Sequence, residues 1–403
     1  MNPNTNTMHS PDACTACTIC VTHCPVAMAT RKFRGPKLTG PAYERFRMLG
    51  FRDETSLEYC SNCKNCDISC PSGVSVATFN MLARAVYCRE HKPPLCDWVL
   101  AHSGDIGKLC AHLPGRLLNA CMDNPLSRLV MHAFGIEKRA PLPRFAPLAE
   151  RRAFVKKGRT RIGRKTVAFF PDCFTRHYDP ATGLDAIRLL EKAGYTVVVP
   201  NAFECCGLPL VAGGYADDAR RKARMNSKEL AFWSGQGVPV LTVCPGCALM
   251  LQYEYRNLFS EEETLGNHAG HVIDICVFVA DLIRAGTLDL SGARSGVAKL
   301  AYHAPCHARV QGAGRAGLDL LSMLPGMECT DMDSGCCGIA GSYGFKRNTY
   351  AIGMRVGEAL FTAIREHGAP LAASECGTCR VQIRHGSGIG VLHPISVVLS
   401  SLK

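Results

Sequence analysis

Two cysteine runs of identical spacing constrain this chain more than any other feature. Residues 14–25 read CTACTICVTHCP and residues 60–71 read CSNCKNCDISCP, so both have the form C-x2-C-x2-C-x3-C-P. In two-cluster bacterial ferredoxins, a run of this form gives three thiolates to one [4Fe–4S] cluster and its fourth cysteine to the other cluster. The two runs therefore predict two [4Fe–4S] clusters.

The predicted ligand sets cross between the runs. One cluster takes three cysteines of the first run and the last cysteine of the second: Cys14, Cys17, Cys20 and Cys70. The other takes the reverse set: Cys60, Cys63, Cys66 and Cys24. Zinc also binds C-x2-C pairs, but a four-coordinate ion does not explain a cysteine triplet followed by Cys-Pro, twice. A c-type haem is excluded because no C-x-x-C is followed by histidine.

The segments around the second run favour helices. The stretch GPAYERFRMLG contains good helix formers, and residues 74–91 place Val76, Phe79, Ala83 and Val86 at helical spacing. The sequence therefore predicts a helical two-cluster ferredoxin domain at residues 1–92.

The remaining motif cysteines form an internal repeat. The first copy contains Cys173, Cys205, Cys206, Cys244 and Cys247. The second contains Cys306, Cys336, Cys337, Cys376 and Cys379, at offsets of 133, 131, 131, 132 and 132 residues from the first. Offsets this regular indicate a duplicated domain, with an adjacent cysteine pair followed by glycine (CCG) in each copy.

Short apolar, strand-like segments alternate with helical ones in both copies. The segments KTVAFF, YTVVVP, VPVLTVC, GVAKLAYH and APLAASEC are predicted to be strands, most of them ending just before a motif cysteine. Alternation of this kind is typical of α/β units, in which ligands often bind at the strand ends. The predicted fold is therefore α+β and multidomain, with the ferredoxin domain, a linker at 93–165, and tandem α/β CCG domains at 166–290 and 291–403.

The five cysteines of each copy are predicted to bind metal. Five sulfur atoms exceed the need of one tetrahedral zinc ion, which favours one or two further iron–sulfur centres. Two alternatives stay open: one copy could hold a zinc ion with a spare thiol, or the adjacent pair could be a metal-free redox dithiol. His303 and His307 flank Cys306 and are predicted to be structural. Six cysteines outside the motifs receive no role: Cys88, Cys96, Cys110, Cys121, Cys276 and Cys329.

Other parts of the sequence limit its class. The first residues lack the features of a secretory signal peptide, and no apolar run is long enough for a membrane-spanning helix. In a chain without such a signal, 24 cysteines indicate metal or redox chemistry more than disulfides. No G-x-G-x-x-G follows a strand, and GRTRIGRK lacks the lysine of a P-loop, so no nucleotide cofactor site is predicted. The chain is not expected to oxidise an organic substrate by itself.

The middle of the chain is predicted to meet a membrane surface or to be a solvated linker. Residues 137–165 contain eleven Lys or Arg and two Glu, and the whole chain has a formal charge of 46 − 34 = +12. An amphipathic stretch beside a basic segment can bind anionic lipid in the plane of the interface. No nucleic-acid-reading motif accompanies this charge, so no nucleic-acid partner is predicted.

With these motifs, the sequence resembles the iron–sulfur subunits of flavin-linked dehydrogenases, above all the C subunits of anaerobic glycerol-3-phosphate dehydrogenases. The resemblance covers nearly the whole chain. It depends most on YCSNCKNCDISCPSGV, GPKLTGPAYERFR, YHAPCH and DSGCCGIAGSYGFKRNTY.

This resemblance implies an electron-transfer and membrane-anchoring subunit. An FAD-containing catalytic subunit and a second flavoprotein-type subunit would be its partners. It would pass electrons to menaquinone in anaerobic respiration, bound peripherally at the cytoplasmic face of the inner membrane. The alternatives are an iron–sulfur subunit of a glycolate or lactate dehydrogenase and a CCG subunit of the heterodisulfide reductase type.

Overall fold

The computed structural model describes residues 10–51, 55–156, 165–312 and 314–402. The expectation that the chain has no signal peptide rests partly on residues 1–9, which lie outside these ranges. The same holds for residues 157–164, which include most of the segment GRTRIGRK and part of the basic run.

The N-terminal region is helical, as its sequence predicts. Short helices follow the cysteine loops, and the longest helix closes the region after the second run. The helices are α1 (Ile19–Thr22), α2 (Pro25–Ala29), α3 (Tyr43–Met48), α4 (Asn65–Ile68) and α5 (Val76–Glu90). The Cys24 thiol accepts a hydrogen bond from the Ala27 backbone at the start of α2, and Pro25 occupies the first helical position. Proline is favoured there because its missing N–H has no intrahelical partner in any case.

The region predicted as a linker contains five helices in the described residues 93–156. They are α6 (Leu95–Ala101), α7 (Ser103–Leu109), α8 (Gly115–Asp123), α9 (Pro125–Ala133) and α10 (Leu148–Lys156). Helices α8 and α9 form a hairpin in which the Asn124 side chain caps α9 by accepting from the Leu126 and Ser127 backbones. The Asn119 side chain in α8 bonds the Phe145 backbone twice: its Nδ2 donates to the carbonyl oxygen at 2.9 Å, and its Oδ1 accepts from the N–H at 2.8 Å. These bonds fix the hairpin to the segment before α10.

The first cysteine-rich copy is a four-stranded parallel sheet of order β2-β1-β3-β4. Its strands are β1 (Thr166–Phe169), β2 (Thr196–Val198), β3 (Val240–Thr242) and β4 (Val272–Asp274). Its helices are α11 (Cys173–His177), α12 (Pro180–Lys192), α13 (Leu208–Gly213), α14 (Ala216–Gly235), α15 (Pro245–Leu249), α16 (Tyr255–Leu258) and α17 (Ile275–Arg284).

The second copy repeats this topology as a sheet of order β6-β5-β7-β8. Its strands are β5 (Lys299–Tyr302), β6 (Glu328–Asp331), β7 (Leu371–Ala373) and β8 (Gly390–Leu392). Its helices are α18 (Cys306–Val310), α19 (Ala316–Leu321), α20 (Tyr350–His367), α21 (Gly377–Ser387) and α22 (Pro394–Ser401). The α+β fold with tandem α/β domains is therefore confirmed, while β4, β6 and β8 were not foreseen.

The two copies share one apolar core. Helix α12 packs against α22, and α17 packs against α19. In the repeat, α12 corresponds to α19 and α17 to α22, so each contact is the counterpart of the other and the copies meet through an approximate two-fold arrangement. Residues of both copies, among them Phe169 in β1, Ile187 in α12 and Tyr302 in β5, belong to the same buried cluster. The predicted boundary at residue 290 thus separates two sequence repeats that share one core.

Candidate iron–sulfur sites

The first predicted ligand set converges on one small cavity, called site A. The cavity is lined by the sulfur-bearing residues Cys14, Cys17, Cys20 and Cys70. Cys17 is exposed, whereas Cys20 is buried. Burial and the neighbouring Cys14 and Cys70 thiols raise the pKa of Cys20. Site A therefore brings together the crossed set that the spacing predicts, with one edge open to solvent.

The second predicted set, called site B, lies deeper in the protein. It consists of Cys24, Cys60, Cys63 and Cys66. Cys24 is 8% exposed, and Cys63 and Cys66 are each 7% exposed. Burial raises the pKa of Cys24 to about 11. It raises that of Cys66 further, with added repulsion from Asp67 and the other thiols of the set. The Asn80 amide donates to the Cys60 sulfur at 3.7 Å.

The loops of both sites have an unusual backbone in common. Four residues between motif cysteines have a positive φ although none is glycine: Ala16 at 58°, Thr18 at 72°, Asn62 at 51° and Lys64 at 62°. Non-glycine residues pay a steric cost in this region, and such strain concentrates at binding sites. The equivalent positions in the two runs share this conformation, so the local strain follows the C-x2-C spacing.

Sites A and B fit [4Fe–4S] clusters by their donor chemistry. Each offers four thiols, and several of them are buried beside other thiols. Four thiolates so close together repel one another, so the deprotonated set requires a cationic centre to compensate its charge. The assignment of each cysteine as a ligand stays a prediction.

In the first cysteine-rich copy the five motif cysteines, called site C, lie at the carboxyl ends of neighbouring strands. Cys173 follows β1, the pair Cys205–Cys206 follows β2, and Cys244 and Cys247 follow β3. The Cys206 and Cys247 sulfurs are 3.3 Å apart. Hydrogen bonds from the Cys173 and Cys206 thiols lower the pKa of Cys205 far below that of an ordinary thiol.

The second copy places its cysteines, called site D, in the same way. Cys306 follows β5, the pair Cys336–Cys337 follows β6, and Cys376 and Cys379 follow β7. The Cys337 and Cys379 sulfurs are 3.2 Å apart. A hydrogen bond from the Cys379 thiol lowers the pKa of Cys376 to about 6. Sites C and D each present five converging sulfurs, which suits a metal centre; which metal each holds stays a prediction.

The glycine after each cysteine pair has a left-handed backbone, with φ of 86° at Gly207 and 82° at Gly338. A Cβ on Gly338 would also overlap the carbonyl oxygen of Gly353 in α20. At Gly207 the nearest atom to an added Cβ would be Ala219 Cβ at 3.4 Å. Both copies therefore need glycine for the turn, and the second copy needs it for helix packing as well.

The helices of the middle region cover the metal sites. A Cβ on Gly104 in α7 would lie 3.1 Å from Cys205 Cβ and 3.5 Å from Cys173 Cβ, so α7 lies against site C. Cys96 in α6 belongs to the buried cluster that contains Cys337 and Cys379 of site D. Cys96 itself was assigned no role, and packing accounts for it. These helices exclude solvent from the centres, which a simple linker would not do.

Site B and site D are neighbours. Burial, with repulsion from Cys336, raises the pKa of the Cys63 thiol. The Cys336 hydrogen bond and burial, with repulsion that includes Cys63, raise the pKa of Cys306. The ring of His307, next to Cys306, bonds the Asn62 carbonyl oxygen through Nε2 at 2.9 Å. This contact agrees with the predicted structural role of His307. Its sequence position, flanking a motif cysteine, gave no indication of its partner.

A buried ion pair fixes the site B loop to the first cysteine-rich copy. The Lys64 ammonium lies 2.9 Å from Glu254 Oε2, and both side chains are 3% exposed. Asp67 lies 3.5 Å from the same ammonium group. Neither Lys64 nor Glu254 was singled out from the sequence, because nothing in a sequence shows that a lysine between two cysteines faces a glutamate almost 200 residues away.

Three segments of the chain match known protein families, one in the N-terminal region and one in each cysteine-rich copy. Residues 10–74 match the family described as "4Fe-4S dicluster domain". Residues 167–252 and 300–384 both match the family described as "Cysteine-rich domain".

Curated relatives match over nearly the whole chain. Among the C subunits of anaerobic glycerol-3-phosphate dehydrogenases, that of Escherichia coli (strain K12) is 34% identical, over 96% of this chain and 98% of the relative. The glycolate oxidase iron-sulfur subunit of the same strain is 24% identical, over 97% and 94%. A subunit of the fumarate reductase (CoM/CoB) of Methanothermobacter marburgensis is 25% identical, over 92% of this chain and 67% of the relative.

Proposed function

Because the chain belongs to the family of the C subunits of anaerobic glycerol-3-phosphate dehydrogenases, we propose that it carries electrons from glycerol 3-phosphate oxidation to a quinone. It is an iron–sulfur electron-transfer subunit of a dehydrogenase and associates with a catalytic subunit. In the proposal that catalytic partner contains FAD and oxidises glycerol 3-phosphate to dihydroxyacetone phosphate. A second flavoprotein-type subunit completes the complex, and menaquinone is the acceptor.

The observation that carries the proposal is the order of the sites. Site A has the exposed Cys17 at its edge, where a partner's redox group can approach. Site B is buried, and its Cys63 lies beside Cys336 and Cys306 of site D. Bound clusters supply one-electron carriers at these positions. The protein's part is to hold neighbouring sites in fixed contact, through the hydrogen bond that His307 Nε2 donates to the Asn62 carbonyl oxygen and through the Lys64–Glu254 ion pair.

The test is an anaerobic co-purification with the catalytic partner. We expect the complex to reduce a menaquinone analogue with glycerol 3-phosphate. The partner without this chain should still reduce an artificial dye but not the quinone. Activity with glycolate or lactate in place of glycerol 3-phosphate would move the chain to the alternative dehydrogenases. Disulfide reduction by the isolated chain would contradict the carrier function.

We infer that the chain attaches peripherally to the cytoplasmic face of the membrane, and the exposed α8–α9 hairpin supports the attachment itself. No helix in the described ranges is both long and apolar enough to cross a bilayer. The hairpin and its approach expose large apolar side chains that no other described element covers. These residues, called the apolar ridge, are Leu109, Leu113, Leu117, Leu126, Leu129, Val130 and Phe134, between 45% and 82% exposed. Exposed apolar side chains grouped in this way are typical of an interaction surface.

Basic side chains flank the apolar ridge, though not all of those in the basic run are available to lipid. Arg116, Lys138, Arg139 and Arg144 are exposed beside the hairpin. Arg151, by contrast, is buried, and its guanidinium donates to the carbonyl oxygens of Ala146, Cys110, Ala111 and Leu113. Arg151 therefore stabilises the chain that leads into α10 and is not available to lipid. In the proposal, the α8–α9 hairpin makes the lipid contact.

Replacing Leu126, Leu129 and Phe134 together by serine should weaken binding to phosphatidylglycerol vesicles by roughly a hundredfold. Each buried apolar side chain contributes about 1.5–3 kcal/mol at full burial, and partial insertion of three yields about 3 kcal/mol. Vesicle sedimentation measures the change. The matched control replaces Met225 and Phe232, which are 50% and 51% exposed on α14. If the control weakens binding as much as the hairpin variant, the ridge is not the membrane contact.

A further inference from the structure

A histidine lies against two of the site D cysteines. His303 directly follows β5, is 4% exposed, and precedes Cys306 by three residues. Its backbone N–H donates to the Ala373 carbonyl at the end of β7, at 2.9 Å. This hydrogen bond therefore fixes the backbone position from which the His303 side chain extends.

The ring reaches the sulfur atoms themselves. A ring nitrogen of His303 and the sulfurs of Cys337 and Cys379 all lie within 4.8 Å of one another. In the described part of the chain, this is the one group of three His, Cys, Asp or Glu ligand atoms found so close together. All three residues are buried, and the nitrogen lies within reach of a metal ion that Cys337 and Cys379 would bind.

The first copy has no such nitrogen at the equivalent position. The offset of 133 residues that relates Cys173 to Cys306 places Phe170 where the second copy has His303. Phe170 is fully buried and packs edge-on against Phe203, with ring centroids 5.1 Å apart. Sites C and D thus share their cysteine pattern but differ in one potential donor.

We propose that His303 is a nitrogen donor to the metal centre of site D, so that the two repeats hold centres with different donor sets. Site C then offers sulfur alone, and site D offers sulfur and an imidazole. A neutral imidazole suits iron and zinc, the metals that such mixed sites bind. The inference rests on the proposed function only in requiring that site D holds a metal.

The nitrogen has a consequence for electron transfer if the metal is iron. An imidazole adds no negative charge, whereas a thiolate does, and histidine ligation of an iron–sulfur centre raises its reduction potential. Site D, which adjoins site B, is then the more oxidising of the two cysteine-rich centres. The duplicated domain then has two non-equivalent members, and the one whose cysteines adjoin site B is the electron acceptor.

The test compares His303→Phe, which gives the second copy the residue of the first, with His307→Gln as the matched control. His307 flanks the same cysteine, but its ring bonds a backbone oxygen of the site B loop. Full-length protein is purified anaerobically after labelling with 15N-histidine. Pulsed EPR detects nitrogen bound to a paramagnetic iron centre, and zinc-edge X-ray absorption detects it if metal analysis finds zinc.

We expect a directly bound histidine nitrogen in the wild type and in His307→Gln, and its loss in His303→Phe. For an iron centre, the potential of that signal should also fall in His303→Phe. A wild type with sulfur ligands only, or a nitrogen signal that survives in His303→Phe, overturns the proposal. The wild-type spectrum decides the matter even if the variant fails to fold. Quinone reduction measured on the same wild-type complex separates this outcome from failure of the proposed function.

Discussion

Replacing Cys24 by alanine is expected to remove one [4Fe–4S] cluster and to abolish quinone reduction while leaving the other cluster in place. Cys24 belongs by sequence to the first run, yet it lies with Cys60, Cys63 and Cys66 of the second. Its loss leaves site B with three thiols, and the iron content should fall by about four atoms per chain. Electron flow then stops, because in the proposed path electrons pass from site A through site B to site D.

The properties of the cluster that remains in each variant identify which site was lost. In Cys24→Ala the remaining cluster is at site A, where Cys17 is exposed, so a chelator should bleach it rapidly. In Cys70→Ala the remaining cluster is at the buried site B and should resist the chelator. Iron and sulfide analysis with EPR after dithionite reduction measures the loss in each variant. Cys121→Ala, at an exposed position outside the motifs, is the control and should keep all iron. A slowly bleached survivor in Cys24→Ala would contradict the crossed ligand sets.

Replacing Glu254 by glutamine is expected to destabilise the protein by about 3–5 kcal/mol, because it leaves a buried ammonium group without its main partner. Burial opposes the charged form of Lys64, yet its pKa is raised, because Glu254 and Asp67 lie beside it. Glutamine can still accept a hydrogen bond but carries no charge. Asp67, at 3.5 Å, remains as the longer of the two ion-pair contacts of Lys64.

The double variant Lys64→Met with Glu254→Leu is the matched control. Removing both charges leaves no unpaired ion, and such replacements are often neutral or stabilising. Urea unfolding of the anaerobic holoprotein, followed by cluster absorbance, should show an early loss of site B in Glu254→Gln alone. Equal midpoints for the wild type and the single variant would show that the pair does not hold the site B loop.

The cysteine runs and the strands of the cysteine-rich copies differ in how far they could be predicted from the sequence. Cys14 to Cys24 and Cys60 to Cys70 have the spacing of two-cluster ferredoxin runs, so the crossed sets could be predicted from the ligation pattern of such runs. The strands β1, β3, β5 and β7 were visible because they are apolar runs that end at a cysteine. Strand β6, with the sequence ECTD, was missed because it is too polar and too short for its pattern to stand out.

The middle region was the least predictable. Its apolar residues were noticed, but sequence periodicity does not distinguish a helix face that covers a metal site from one that faces outward. Gly104 lies on a helix face that covers site C, against Cys205, whereas Leu126 lies on a face that is exposed. Arg151 likewise counted as one of many basic residues until its four carbonyl partners showed a structural role.

By itself the sequence determined the chemistry of this protein: how many thiols meet, in which groups, and that the second half is a duplication. Those properties follow from the spacing of the cysteines within each motif and from the regular offset between the two copies, both of which can be read along the chain. Only the tertiary structure decided which sites are neighbours, that Lys64 meets Glu254, and that His303 lies within 4.8 Å of the Cys337 and Cys379 sulfurs. These contacts join segments far apart in sequence, and they depend on how helices and sheets pack, which no local pattern records.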